Sequence, residues 1–150
     1  MHKGRLLKAI RGLDLETVRF CLRAEPELLD VQAPNGQGVL QLACGVETSD
    51  QEERQRKQVD LVRDLIAHGL DPLVMKPDSC GELSLVWFAA ARGRNPILVE
   101  ELVSRGARPD GLYAACYSED VVMIELLVRL GVDLEPVVHS HHVGLQRGRE

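Results

Sequence analysis

Apolar residues recur along the chain with the spacing of amphipathic helices, and the three clearest apolar segments each end in a glycine. Within a segment the apolar positions fall at i, i+3, i+4 and i+7, which places them on one face of a helix. A glycine just after such a face is typical of the left-handed residue that ends a helix. The pattern therefore predicts three similar helix ends, within residues 65–71, 102–108 and 127–133.

These segments belong to a longer repeat, because a shift that superposes the glycines also superposes a preceding helix. The third unit moves onto the fourth with a shift of 25 residues, and the N-terminal segment moves onto the fourth with a shift of 106. The second unit needs a shift of 47 over its first helix and 37 over its second, so about ten extra residues lie within 46–57. The superposed positions are Ala9, Ala43, Ala90 and Ala115 in the first helices, and Gly69, Gly106 and Gly131 after the second helices.

The repeat predicts one domain over residues 1–138, built from four helix pairs at about 5–30, 34–72, 82–108 and 110–135, with a flexible or capping tail over 139–150. Neither helix of a pair can hide its own apolar face, so adjacent pairs must stack. The three residues that stand where a side-chain oxygen caps the second helix are Asp14, Asn95 and Asp120. Pro96 follows Asn95 at a first helical position, where a missing N–H costs nothing.

The inserted residues 46–57 are rich in helix formers and charge. Asp50 and Glu53 have the spacing of a capping box, which predicts a helix from near Gln51 to about Ala67. The acid-first pairs Glu52 with Arg56 and Glu53 with Lys57 add a little helix stability. The segment is either a solvated helix extension or a charged arm that selects partners.

These features together resemble the ankyrin-repeat family. The Gly-Ala-Asp that follows the second helix in that family is similar to Gly69-Leu70-Asp71 and Gly131-Val132-Asp133, and residues 33–38 look like its projecting β-turn finger. The resemblance implies an all-α fold, an ankyrin-like helix-hairpin solenoid of about four repeats. The fourth unit has room only for a tight turn through residues 109–111, so we expect it to lack a finger.

Composition narrows the possible functions. Acidic residues number 23 against 18 basic residues, a net charge of −5, so nucleic acid is not an expected partner. No apolar run is long enough for a signal peptide or a membrane span, so we expect a soluble, cytoplasmic chain that binds no membrane. The cysteines Cys21, Cys44, Cys80 and Cys116 lie far apart, three of them within apolar helical patterns where a thiol is usually buried.

No motif of catalysis or cofactor binding is present in the sequence, so we predict a protein that is not an enzyme and has no cofactor. His139, His141 and His142 are weak candidates for metal ligands, because neutral imidazoles bind Zn, Ni and Cu. The other interpretation of this histidine cluster is a polar tail without a physiological metal.

The repeat also predicts a binding surface. Positions one place past the small residues of the first helices face the concave groove in ankyrin-like stacks, and Tyr and Arg supply most interface hot spots. The candidate partner-binding residues are Gln41, Arg92, Arg94, Tyr113 and Tyr117. Ordinary surface roles are the alternative for these residues, whereas Phe20 and Trp87 fall at positions predicted to be buried.

We therefore expect a protein–protein interaction module, such as an adaptor, scaffold, inhibitor or regulatory subunit, that binds a protein partner through its concave face. A metal-responsive protein and a fragment of a longer repeat array are the alternatives. Because no helix pair follows residue 135, the last repeat is expected to lack a polar cap. The chain is then a monomer, or a dimer through that uncapped C-terminal repeat.

Overall fold

The computed structural model describes residues 2–78 and 81–132, and in these ranges the chain is mostly helical, which confirms the all-α class. The α-helices there are α1 (Lys3–Arg11), α2 (Leu15–Ala24), α3 (Val39–Cys44), α4 (Glu52–Ala67), α5 (Leu85–Trp87), α6 (Pro96–Ser104), α7 (Leu112–Tyr117) and α8 (Val121–Arg129). A 3-10 helix (Pro26–Asp30) follows α2, and a π-helical turn (Phe88–Gly93) continues α5. Strands β1 (Lys76–Asp78) and β2 (Gly81–Leu83) form an antiparallel hairpin. Over the same residues, no helix has the length and apolar character needed to cross a membrane.

The structure confirms both the predicted N-cap residues and the predicted terminal glycines of the second helices. Gly69, Gly106 and Gly131 all have positive φ, between 89° and 116°, as left-handed helix ends require. Each predicted N-cap accepts a backbone N–H of the first turn, which would otherwise lack a partner. The donor and acceptor atoms are Thr17 N to Asp14 Oδ1 (3.2 Å), Leu98 N to Asn95 Oδ1 (3.2 Å) and Met123 N to Asp120 Oδ1 (3.2 Å).

Helix α4 covers the predicted range, but it begins differently from the prediction. The capping box is wrong: Asp50 has a φ of +62°, and the helix is preceded by Gln51, which makes no side-chain cap. The left-handed turn at Asp50 leaves its side chain two residues ahead of the helix instead of at the N-cap. The predicted pair of Glu52 with Arg56 is present, with 2.8 Å between carboxylate and guanidinium.

The connections between pairs follow the sequence analysis in part. Residues 33–38 form a tight β-turn, in which Ala33 and Gln37 are hydrogen-bonded and Gln32 bridges Gly38. The β1–β2 hairpin occupies the corresponding place before α5. The segment between α6 and α7 contains only a short irregular turn that ends at Gly111, with a φ of +94°.

The helices contact one another in two rows. The first helices follow the order α1, α3, the α5 and π-helical segment, and α7, and each contacts the next. The second helices α2, α4, α6 and α8 form a parallel row in the same way. Small residues line the first row, where Ala43, Ala90 and Ala115 are at most 2% exposed. Short side chains let these helices approach closely, while leucine and valine fill the space toward the second row.

Ion pairs join successive second helices on the outer side of these rows. Arg19 of α2 lies 3.1 Å from Asp64 of α4, and Arg63 of α4 lies 2.8 Å from Glu101 of α6. The hydrogen bond from Arg63 lowers the pKa of the Glu101 carboxyl below its ordinary value. The arginine of each ion pair is about half exposed, so the ion pair contributes little to the free energy of folding.

A buried polar cluster joins the second and third helix pairs. The Asn95 side chain donates to Gln58 Oε1 (2.8 Å) and to the Gln55 carbonyl (3.0 Å). Gln58 Nε2 in turn donates to three carbonyls at the end of α3, among them that of Ala43 at 2.7 Å. Thr48, fully buried, donates its hydroxyl to the Gly93 carbonyl at 3.1 Å. The inserted segment is therefore not only a solvated extension, because its start is buried between two helix pairs.

Three side chains are more exposed than the sequence predicts. Phe20 is 44% exposed, because it lies on the outer edge of the first pair, and Arg5 (4.9 Å from the ring centroid) and His2 partly cover its ring. Trp87 is half-buried, with its ring edge-to-face on Phe88. Cys116 is exposed because it lies in the last described pair, whereas Cys21 and Cys44 are buried as predicted.

Removing the Asn95 side chain tests the polar cluster. Asn95→Ala removes a cap and leaves the buried Gln58 oxygen and the Gln55 carbonyl without this donor, so the free energy of unfolding should fall by about 3 kcal/mol. Urea unfolding followed by circular dichroism measures this change. Asp14→Ala, which removes only an exposed cap, is the matched control and should cost clearly less. Equal losses in the two variants would show that the cluster adds nothing beyond the cap.

The lowered pKa of Glu101 predicts a stability difference that depends on pH. Stabilisation by an acid whose folded-state pKa is depressed is present above the unfolded pKa and is lost as pH falls through the folded value. Glu101→Gln should therefore lower the melting temperature at neutral pH and should approach the wild type in strong acid. Thermal melts at several pH values measure this convergence, and a gap that stays constant into acid would contradict the role of the Arg63 pair.

Candidate functional site

Three aromatic residues and one arginine cluster on the first helices of the third and fourth pairs. Arg92 places its guanidinium carbon 5.5 Å from the centroid of the Trp87 ring. On the next pair, Tyr113 and Tyr117 lie one helical turn apart on α7, with ring centroids separated by 6.5 Å. We call Trp87, Arg92, Tyr113 and Tyr117 the aromatic–arginine surface.

Local packing holds the two halves of this surface next to each other. The π-helical turn that carries Arg92 contacts α7, which carries both tyrosines. Gly111, just before α7, packs on the Trp87 side: a Cβ atom placed on it would lie 3.8 Å from Trp87 Cδ1 and 3.2 Å from the Cβ of Ala90. A larger residue could not pack so closely, and the positive φ of Gly111 also favours glycine.

Exposure and charge make this surface available to a ligand. Tyr117 is 82% exposed and Tyr113 is 48% exposed. Arg92 is exposed and forms no ion pair within the part of the chain that the structure describes. Stacking on Trp87 restrains the Arg92 side chain and leaves its positive charge unneutralised.

Two of the five predicted binding residues serve the fold. Gln41 is 7% exposed, and its Oε1 accepts the backbone N–H of Gly38 at 2.9 Å, so it caps α3 and is not a surface residue. Arg94 has a φ of +54° and pairs with Asp120 at 3.4 Å, joining the third and fourth pairs. The capping role of Gln41 could have been predicted from the sequence, because a glutamine three residues after an N-cap stands at the capping-box position. The remaining three, Arg92, Tyr113 and Tyr117, lie together at the surface.

An open cavity of about 470 Å³, which no pattern in the sequence predicts, lies between the first β-turn and β1. Leu29, Val31, Leu70 and Met75 form apolar walls, and Lys76 lies at its side. The 33–38 turn and the β1–β2 hairpin are far apart in sequence, so no local pattern indicates that they enclose a common space.

Two nucleophilic side chains, those of Cys44 and Ser84, are buried, and the second is hydrogen-bonded. Full burial raises the pKa of the Cys44 thiol, so this cysteine is not a thiolate at neutral pH. The Ser84 hydroxyl donates to the Arg108 carbonyl at 2.9 Å. Among residues 2–78 and 81–132, no three His, Cys, Asp or Glu side chains are placed to hold a metal ion. His139, His141 and His142 lie outside the described residues.

Comparison with known proteins adds no family assignment. No protein-family model matches the chain, and no curated protein is significantly similar to it in sequence.

Proposed function

We propose that this chain is a non-catalytic interaction module that binds a protein partner through the aromatic–arginine surface. In this proposal the four helix pairs form an ankyrin-like solenoid, and the surface lies on its concave side. The two parallel rows of helix contacts support such a stack, since each pair contacts its neighbours in chain order. The buried small residues of the first row favour its closer packing and hence a curved stack.

One observation carries the proposal: an arginine that forms no ion pair within the described residues stacks on a tryptophan beside two exposed tyrosines. Tyrosine, tryptophan and arginine are the residues that most often dominate binding energy at protein interfaces. Tyr117 is 82% exposed, so a partner that covered its ring would remove a large apolar area from water. Arg92 is already restrained by Trp87, so binding orders it at little additional entropic cost.

The chemistry of the surface indicates the kind of segment it accepts. Arg92 provides a fork of N–H donors suited to a carboxylate. The neighbouring tyrosine rings suit flat or apolar side chains and can donate hydrogen bonds at their hydroxyl ends. We therefore propose that the partner presents an acidic side chain next to an apolar or aromatic one. The net charge of −5 disfavours acidic partners at long range, so this recognition is local.

Affinity capture with variants tests this function. The wild-type chain should recover a partner from cells of its source, and Tyr117→Ala should weaken binding of the purified partner by about thirtyfold, as expected of an interface hot spot. Arg92→Glu combined with Tyr117→Ala should abolish binding while circular dichroism stays unchanged. Isothermal titration calorimetry measures the affinities.

Arg23→Glu is the matched control, because it makes the same charge change at an exposed position of α2. This variant should bind like the wild type. A partner that binds equally well to the Arg92→Glu, Tyr117→Ala double variant would contradict the proposal and place the binding site elsewhere on the chain.

A further inference from the structure

The ion pairs between second helices occupy one repeated position. Shifts of 37 and then 25 residues superpose Arg63 on Glu100 and on Glu125, and the shift of 106 superposes Arg19 on Glu125. In the first three helix pairs this position is joined to the following pair. The partners are Arg19 with Asp64 (3.1 Å), Arg63 with Glu101 (2.8 Å) and Glu100 with Arg129 (3.2 Å). The position therefore points toward the next pair in the row.

Glu125 is the member of this series in the fourth pair, and within the described residues it forms no ion pair. Exposed apolar residues lie near Glu125, as on a face that packs against another helix pair. Val122 and Val128 on the same helix are 64% and 56% exposed. Tyr113 is 48% exposed, whereas Phe88, its counterpart in the third pair, is 2% exposed. The α7–α8 face thus repeats a face that the preceding pair buries.

The α1–α2 edge lies at the opposite end of the molecule. By the repeat, it corresponds to the surface with which each later helix pair packs on the pair before it. The shift of 106 superposes Arg23 on Arg129 and Phe20 on Leu126. Arg129 pairs with Glu100 of the preceding pair at 3.2 Å, and Leu126 is 4% exposed. In the first pair, by contrast, Phe20 is 44% exposed, with Arg5 stacked on its ring.

The charges of these two surfaces are complementary. Helix α1 has four basic residues and no acidic residue, and all four are exposed: Lys3, Arg5, Lys8 and Arg11. The α7–α8 face presents the exposed carboxylates of Glu119 and Glu125. Opposite charges in this arrangement favour contact between the two ends and oppose contact of either end with itself.

We propose that a second copy of this chain docks its α1–α2 edge on the α7–α8 face, continuing the row of helix pairs from one molecule into the next. Glu125 of one copy then faces Arg23 of the other, as Glu100 faces Arg129 within one copy. The contact is head to tail, so each association leaves one free face at either end, and assemblies grow with concentration. Tyr113 belongs both to this face and to the aromatic–arginine surface, but the association does not rest on the proposed partner binding, because its test uses Glu125 and not Arg92 or Trp87.

Sedimentation velocity of the full chain from micromolar to near-millimolar concentration tests this association. The weight-average mass should rise steadily with concentration, and added salt should weaken the rise. Glu125→Arg should lower the association constant by about tenfold, because it places like charges face to face. Arg23→Glu should do the same, and it leaves the stacking of Arg5 on Phe20 intact.

The charge-swapped double variant Arg23→Glu, Glu125→Arg tests whether the α1–α2 edge is what binds the α7–α8 face, since it restores opposite charges across every head-to-tail contact. It should recover the wild-type association. Glu53→Arg, an equal charge change on the exposed side of α4, is the matched control and should have no effect.

Three results would overturn the proposal. The first is a wild-type chain that stays monomeric at every concentration. The second is a dimer of fixed mass, which indicates a symmetric contact. The third is a double variant that fails to recover association, which would mean that the α1–α2 edge does not bind the α7–α8 face.

Discussion

The structure depends on one constraint: a pair of short helices has more apolar surface than its two members can hide from each other. Each pair therefore needs a neighbour, and the neighbour presents the same need on its other side. Contacts along the chain consequently run from each pair to the next, with Ala43, Ala90 and Ala115 buried in the row of first helices. The same constraint explains why the last described pair retains exposed valines at its outer face.

Polar side chains give this stacking its register. Leucine and valine can slide past one another at low cost, but Asn95 must find the Gln58 oxygen and Gln58 must find the carbonyls at the end of α3. Buried polar groups that lose a partner are costly, so the cluster allows one arrangement of the second and third pairs. Gly93 belongs to the same junction, since a Cβ atom there would lie 2.5 Å from the Cys44 carbonyl oxygen.

Features that depend on local sequence could be predicted, and features that depend on distant residues could not. The caps at Asp14, Asn95 and Asp120 and the left-handed glycines follow from neighbouring residues. The second role of Asn95 and the burial of Thr48 depend on contacts across about 40 residues and leave no local pattern. The repeat position of Gln41 predicts a surface role, because the repeat pattern does not contain its capping geometry. The pattern of α2 predicts burial of Phe20, because the place of this residue at an outer edge cannot be seen within one helix.

The central claim is that successive helix pairs, and only successive pairs, share a continuous core. Methyl and amide nuclear Overhauser effects measure this most directly. The account predicts cross-peaks from the Ala90 methyl group to Gly111 and from the Arg92 β-protons to Gly45. A Cβ atom placed on these glycines would lie 3.2 Å from the Ala90 Cβ and 3.5 Å from the Arg92 Cβ, so the two backbones pass close to these side chains. Absence of both, together with cross-peaks between α1 and α7, would contradict it.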